Sequence, residues 1–530
     1  MTRRDLLILF LLGLAVNFAI AQFQSLPGYM DADYYFGGGL QLARGNGFTE
    51  PYLWNYLANP QTLPAPSHAY WLPLASLLAA AGMWLTGQTT FAAARIGFIL
   101  LAALIPPLTS LLAFRVTSNR ISSLLSGLLA CFSIYYAPFL PVTDNYAIYM
   151  LLGATFFLLF SSLRTSPKSS NLIFFGFGLL SALASLARSD GLLWLGISFL
   201  IAIWYARNFH LLTPNSHLPL RPFIFHLSSF IFFTLIGFIL IAFSWYARNL
   251  STFGTLMAPG GIRALWLTHY NDTFIYPASQ LTMQSWLASG WDAIAQARLS
   301  ALGMNLLNAF GAQGGIFLFP FILIGVWQYR RDTRVRFALL AWMILLAAMT
   351  CVFPFAGPRG AFFHSGAALQ PMWWVLAPLG LDAAVAYARR KNLFDDRAFV
   401  IFRGSLALIA ILMTGLIFTM RVLPGWERED GRYVKVEALL AQQNIPASAI
   451  FIVRNPPGFH VVTGRPAIAI PTGNIPAILN VAEKFNAQYL LLEPDGVSKE
   501  LRGLYDHPEQ FPSLLYLGET DGNRLYKILR

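Results

Sequence analysis

Charge is what this sequence lacks most. Asp, Glu, Lys and Arg together make up 11% of its 530 residues, whereas a soluble globular chain carries about 25%. A string of ordinary soluble domains is therefore excluded. Cysteine is nearly absent: Cys131 and Cys351 are the only two, and both lie in apolar runs, which rules out a disulfide-stapled secreted scaffold. Acid is scarcer still over most of the chain, since half of the 24 acidic residues fall between Glu427 and Asp521. What remains is apolar. Hydrophobic residues reach 56%, with 44 Phe and 14 Trp, and the mean hydropathy is +0.56. This is the composition of a polytopic α-helical membrane protein with a C-terminal segment of a different, soluble kind.

A helix needs about 20 apolar residues to cross the hydrocarbon core, because unsatisfied backbone polar groups cannot sit there. The runs that qualify are Leu6–Phe23, Phe91–Phe114, Ile121–Leu140, Tyr146–Leu163, Leu172–Ala187 and Leu192–Ala206, then Phe223–Tyr246, Gly314–Tyr329, Phe337–Phe355, Ala367–Ala388 and Gly404–Met420. They predict about eleven transmembrane helices. Leu72–Leu85 is apolar but short and bounded by prolines, which fits a re-entrant or interfacial segment. The first run follows Arg3 and Arg4 and contains Ala19-Ile20-Ala21, so it would also suit a cleavable signal peptide. Its length favours a retained span.

The net charge of +12 invites a nucleic-acid reading, but the location of the charge decides. With Arg3 and Arg4 in the cytoplasm, the clusters at Arg115/Arg120, Arg164/Lys168, Arg207/Arg221, Arg330–Arg336 and Arg389–Arg403 all fall on the same side, as the positive-inside rule asks. The basic excess is a topology signal, and no nucleic-acid partner is expected. An odd number of spans puts the C-terminus outside, in the cell membrane's extracytoplasmic space. The chain then divides into a membrane module, 1–424, with long external loops 24–90 and 247–313, and a small extracytoplasmic α/β domain, 425–530. In the latter, Tyr433–Gln443 and Ile478–Phe485 have helical character, and Ala449–Val453, Ala467–Ile470, Gln488–Glu493, Leu514–Gly518 and Leu525–Leu529 read as strands. It holds no cysteine, paired carboxylates or phosphate-loop spacing, so binding or packing is expected of it. Both external loops are rich in Trp, Tyr and Gly, and loops of that length are usually functional. Their aromatics suit the membrane interface and stacking on sugar rings.

Chemistry-bearing residues gather at the external ends of the spans. Tyr29-Met30-Asp31-Ala32-Asp33-Tyr34-Tyr35 follows the first helix, and two carboxylates there can act as a general base or hold a divalent cation. The plain alternative is an N-cap for a helix starting at Tyr34. The segment continues Leu40-Gln41-Leu42-Ala43-Arg44-Gly45-Asn46-Gly47-Phe48, with Ala93-Ala94-Arg95 opening the next span. In that order these motifs resemble the first periplasmic loop of the GT-C superfamily, membrane glycosyltransferases that use polyprenyl-phosphate sugars. That superfamily includes protein O-mannosyltransferases, the lipid A aminoarabinose transferase and lipopolysaccharide core galacturonosyltransferases. The resemblance extends over most of the membrane part. It maps the essential first-loop aspartate onto Asp31, with Asp33 second; here Ala32 separates two acids that are often adjacent in the family.

Other candidates follow from position. Asp144, in Pro141-Val142-Thr143-Asp144-Asn145, sits where related enzymes place a second acid, or else caps the next helix. Arg188 and Asp190 form a tight break between spans, as substrate contacts or as an ion pair holding the turn. In Trp266-Leu267-Thr268-His269-Tyr270-Asn271-Asp272, His269 is a candidate metal ligand beside Asp31 and Asp144, or only hydrogen-bonded, and Tyr270 a substrate contact. Arg359 and His364, in Gly357-Pro358-Arg359-Gly360-Ala361-Phe362-Phe363-His364, are candidates for gripping a donor phosphate, with lipid headgroup contact as the alternative.

The resemblance implies an inverting glycosyltransferase whose donor is a polyprenyl-phosphate sugar and whose acceptor is an extracytoplasmic lipid, glycan or protein. A divalent cation, Mg, Mn or Zn, is the one cofactor in view, and related enzymes differ in needing one. Three rivals remain at this level: an O-antigen polymerase or ligase, a lipid-linked-sugar flippase or transporter, and a sugar-binding sensor acting through its tail. The sugar and the acceptor are not written in the sequence.

Overall fold

A computed structural model describes residues 1–165, 169–212 and 220–529; Lys168 lies outside them, as do the side chains of Arg164 and Arg221. Every one of the eleven apolar runs contains helix. Among the described residues, eight helices are long and apolar enough to cross a membrane, and Leu74–Thr86, Arg120–Cys131 and Phe319–Gln328 are shorter apolar helices. Gln370–Arg390 lies deep in the bundle: Gln370 to Leu381 are all buried, and it packs along Phe319–Gln328. Close contact there depends on glycine, since a Cβ on Gly380 would collide with the Phe321 carbonyl. Leu220–Phe253 has 34 residues. At 1.5 Å per residue it is about 51 Å long, well beyond a hydrocarbon core of about 30 Å, and it carries Arg248 and Phe253 out to the loops.

Several charges at the basic end are paired. Thr2 and Asp5 form a capping box on Arg3–Ala21, and Asp5 receives Arg120 in a two-pronged bond at 2.6 and 2.9 Å. Asp382 holds Arg403 and the Ser122 hydroxyl, and Arg334 pairs with Asp332 while donating to the Arg115 carbonyl at 2.6 Å. Arg115, Arg120 and Arg334 thus sit away from the loops, at the end where the first helix begins.

At the other end, both long loops and the tail form one body. Its six-stranded sheet runs in the order Tyr52–Leu53, Ala467–Ala469, Phe451–Val453, Tyr489–Leu492, Asn523–Ile528, Leu514–Thr520. The first four strands are parallel and the last two antiparallel. The edge strand Tyr52–Leu53 belongs to the first loop, with Tyr52 opposite Ala467 and Leu53 opposite Ile468. Helices Arg428–Gln442, Pro456–Thr463 and Ile475–Phe485 cover the sheet. Tyr56, in the first loop, donates to the Ala469 carbonyl, and the Thr472 amide donates to the Phe274 carbonyl of the second loop at 2.9 Å. Leu53, Tyr56 and Ala65 belong to the same apolar core as Ile452, Val481 and Leu490. Burying them together is what holds three distant segments as one unit.

Candidate active site

The segment after the first span enters a helix at Met30, earlier than a start at Tyr34, and runs to Ala43. Asp31 and Asp33 lie in its first turn, where the partial positive charge of the helix N-terminus favours carboxylates. The helix lies on Leu74–Thr86, so close at Gly39 that a Cβ would meet Ala79 and the Ser76 carbonyl. That 13-residue helix is too short to span. Before the helix, Gly28 has φ +89° and sits against the Trp426 indole where no Cβ would fit, while its amide donates to Asp430 at 2.8 Å. The entry to the first external loop is thereby pinned to the start of the tail.

Positions two apart on a helix face nearly opposite ways, and the two aspartates part accordingly. Asp31 faces the bundle. Its Oδ2 lies 3.6 Å from His364 Nε2, and Asp144 Oδ2 lies 3.5 Å from the same nitrogen. Asp33 is wholly buried, accepts from the Asn455 side chain at 3.1 Å, and sits next to Asp430 beneath the tail. Burial, then the Asp430 charge, push its carboxyl well above the ordinary range.

His364 sits in the short helix Ala361–Gly366, entered through Gly360 at φ +78°, and its ring stacks on Tyr146 at 4.3 Å between centroids. Its Nδ1 lies 3.1 Å from the Gly360 carbonyl. A carbonyl only accepts, so Nδ1 carries a proton, and Nε2 faces the two carboxylates. Nε2 is buried and has no hydrogen-bond partner. Among the described residues, Asp31, Asp144 and His364 form a group whose ligand atoms lie within 4.8 Å of one another. Three electron-rich atoms converging on one point need a proton or a cation between them, and two carboxylates with an imidazole are ligands that Zn²⁺ accepts.

The surroundings set the charge. Asp144 is almost fully buried and accepts from the Tyr29 hydroxyl at 2.6 Å and from the Asn145 amide at 2.6 Å. Burial works against its charge, but His364, Tyr29 and Asn145 together hold the carboxyl below the usual range. Asp31 goes the other way: burial and then the Asp144 charge push it up to about 6, against the pull of His364 and Arg188. Tyr29, Tyr146 and Asn145 thus complete the site. Sequence reading gave the two tyrosines no such role, and Asn145 was legible only as Asp144's neighbour.

Arg188 donates to Asp190 at 2.8 Å and stands over Tyr149, so the ion pair across the turn is present, and its charge also reaches Asp31. Arg359 is exposed, with its guanidinium 4.4 Å above the Tyr270 ring and no acidic partner among the described residues. Burial and then the Asp31 charge push the Tyr270 hydroxyl up, against the pull of Arg359. His269 is exposed and stands outside the Asp31/Asp144/His364 group. Its neighbour Asp272 accepts from the Thr268 and His269 amides at 2.9 and 2.7 Å, fixing the turn that presents Tyr270. The imidazole in the cluster is that of His364. Arg95 donates to the Gln24 carbonyl at 2.5 Å, closing the C-terminal end of the first span.

No family model matches the sequence, and no curated protein matches it. Solved structures do match. ArnT from Cupriavidus metallidurans bound to undecaprenyl phosphate superposes with a TM-score of 0.59 at 12% identity, covering 99% of this chain and 98% of that one. The oligosaccharyltransferase of Archaeoglobus fulgidus in complex with Zn and sulfate gives a TM-score of 0.58 at 13% identity, over 99% of this chain and 73% of that one. AglB from the same organism, in complex with an inhibitory peptide and a dolichol-phosphate, gives 0.55 at 13%, over 99% and 74%. Likeness over nearly the whole chain, from the first span through the tail sheet, assigns the protein the GT-C fold.

Proposed function

We propose that this multi-pass membrane protein is an inverting glycosyltransferase that moves a sugar from a polyprenyl-phosphate donor to an extracytoplasmic acceptor. The observation that carries the proposal is the convergence of Asp31, Asp144 and His364 at the ends of spans, beneath both loops and the tail. A transporter would need its ionisable groups near mid-membrane. The fold adds weight, because ArnT and AglB were solved with polyprenyl phosphates bound.

Asp31 is the base. With its carboxyl pushed up to about 6, it is ionised at neutral pH yet still basic enough to take a proton, the compromise that general-base catalysis favours. The acceptor hydroxyl gives its proton to Asp31, its oxygen bonds to the anomeric carbon in line, and the bond from that carbon to the lipid phosphate oxygen breaks. Arg359, held over the Tyr270 ring and without an acidic partner among the described residues, receives the leaving phosphate, and its planar fork suits two phosphate oxygens. Asp144 stays charged and, with Tyr29, holds His364 in place. Asp31, Asp144 and His364 would hold a divalent cation, which when bound would supply Lewis-acid stabilisation of negative charge. Segment 425–530 serves as a cover that binds or packs and excludes water, and 1–424 carries the chemistry. The external face of the cell membrane is the side of transfer. The experiment is transfer by the purified chain in lipid nanodiscs from a polyprenyl-phosphate hexose or pentose, wild type against Asp31→Asn.

A further inference from the structure

We propose that a cavity in the first external loop binds a pyranose unit of the acceptor, which makes the acceptor a glycan. The cavity has a volume of about 260 Å³, just under the range of about 300–1,000 Å³ typical of drug-sized ligands, and so suits a single ring. Its lining includes Glu50, Asn55, Asn59, Tyr34, Trp54 and Tyr70. Glu50 starts its wall from the strand pair Thr49–Glu50 and Ala65–Pro66. It is 6% exposed, and its Oε2 has no hydrogen-bond partner. A buried polar atom without a partner is costly unless a ligand supplies one. Arg248 is close enough to favour the Glu50 charge, but its guanidinium donates to the Ser67 carbonyl at 2.8 Å, the Phe48 carbonyl at 3.5 Å and the Asn249 side-chain oxygen at 3.2 Å. The Asn55 side-chain oxygen accepts from the Leu57 amide at 2.9 Å, which leaves its NH₂ group as a donor.

The mixture selects the ligand. A carboxyl held by Tyr34 and the His68 backbone through one side only, together with side-chain amides, matches hydroxyls that both donate and accept, and aromatic walls match the C–H face of a sugar ring. No Lys or Arg lines the cavity, which disfavours a phosphate or carboxylate. The cavity is not the Asp31 cluster, since Asp31, Asp144 and His364 are not in its lining, yet it adjoins it: Tyr34, three positions after Asp31 on the helix Met30–Ala43, forms part of its wall. A ring held there can present a hydroxyl toward Asp31. This acceptor role rests on the transfer reading above; the binding itself does not.

The test is saturation-transfer NMR on the full chain in nanodiscs with methyl pyranosides of the gluco, galacto, manno and 2-acetamido-gluco series. At least one should bind with a millimolar Kd, and Glu50→Ala should weaken it about tenfold. Ala58→Trp, which fills the cavity from a half-exposed rim position, should abolish it, while Asp31→Asn should leave it intact. Absence of binding by every pyranoside, or equal binding by Ala58→Trp, overturns the cavity assignment. Binding that depends on Glu50 in a chain that never cleaves a polyprenyl-phosphate sugar overturns the transfer reading instead, and the acceptor role with it.

Discussion

Glu50→Gln should stabilise the protein in alkali and leave it unchanged in acid. Burial pushes the Glu50 carboxyl up to about 8 from an ordinary 4.5, against smaller opposing contributions from Tyr34 and Arg248. The folded chain therefore holds the proton over a range where the unfolded chain has already released it. Between those two values stability falls as pH rises, because the unfolded state binds fewer protons. At about 1.4 kcal/mol per pH unit, the loss reaches about 5 kcal/mol once the pH passes 8, and about 3 kcal/mol of it is already present at neutrality. Gln has the same shape and no charge to bury, so its variant should escape the loss. The assay is thermal unfolding in detergent micelles, followed by tryptophan fluorescence at about pH 5, 7 and 9. The melting curves should coincide in acid and separate by several degrees in alkali, with the variant the more stable. Parallel pH dependence in the two proteins would refute the reasoning, since it would mean that Glu50 is ionised in the fold without penalty.

Three further outcomes follow from the same geometry. Arg359→Lys should raise the apparent KM for the polyprenyl-phosphate donor about tenfold or more, because an ammonium neither stacks on Tyr270 nor offers a two-pronged contact; an unchanged donor KM removes Arg359 from the donor site. His364→Ala should abolish Zn retention measured by mass spectrometry and lower transfer at least about 100-fold, and a variant that keeps stoichiometric Zn excludes the Asp31/Asp144/His364 centre as its holder. In a Cys351→Ser background, cysteines placed at exposed Gln88 and Ser448 should react with an impermeant maleimide on intact cells, whereas one at Arg390 should react only after permeabilisation; the reverse pattern inverts the topology.

The helices were legible because a span must be a long apolar run, and the run survives in the sequence whatever its neighbours are. The strands of the tail were legible for a similar reason, down to Ala467–Ala469 and Tyr489–Leu492. Asp31 was legible from its place just past the first span. Asp33 stood as second candidate beside Asp31 while the helix start stayed unknown: once Met30 opens the helix, the pair must diverge, and the second aspartate turns to Asn455, 422 residues away. No local pattern announces such a partner. The same holds for His364 against Asp31 and Asp144, three residues from three segments that meet only through packing. His269 had the better motif, with an acid three positions on, yet that acid is taken up by backbone amides. The strand Tyr52–Leu53 is two residues long and draws its stability from the tail sheet it joins, so periodicity could not reveal it. Glu50 gave no signal in sequence beyond being an acid in a loop otherwise short of them.

The most direct measurement of the central claim is turnover by Asp31→Asn with purified donor and acceptor. Asn keeps the size of the side chain and its place in the first turn of Met30–Ala43, but it cannot take up the acceptor's proton. Transfer should fall by about 10³-fold, while insertion, thermal stability and donor binding remain those of the wild type. Wild-type turnover in Asp31→Asn would contradict the account, because the residue at the centre of the Asp31/Asp144/His364 cluster would then have no part in the reaction.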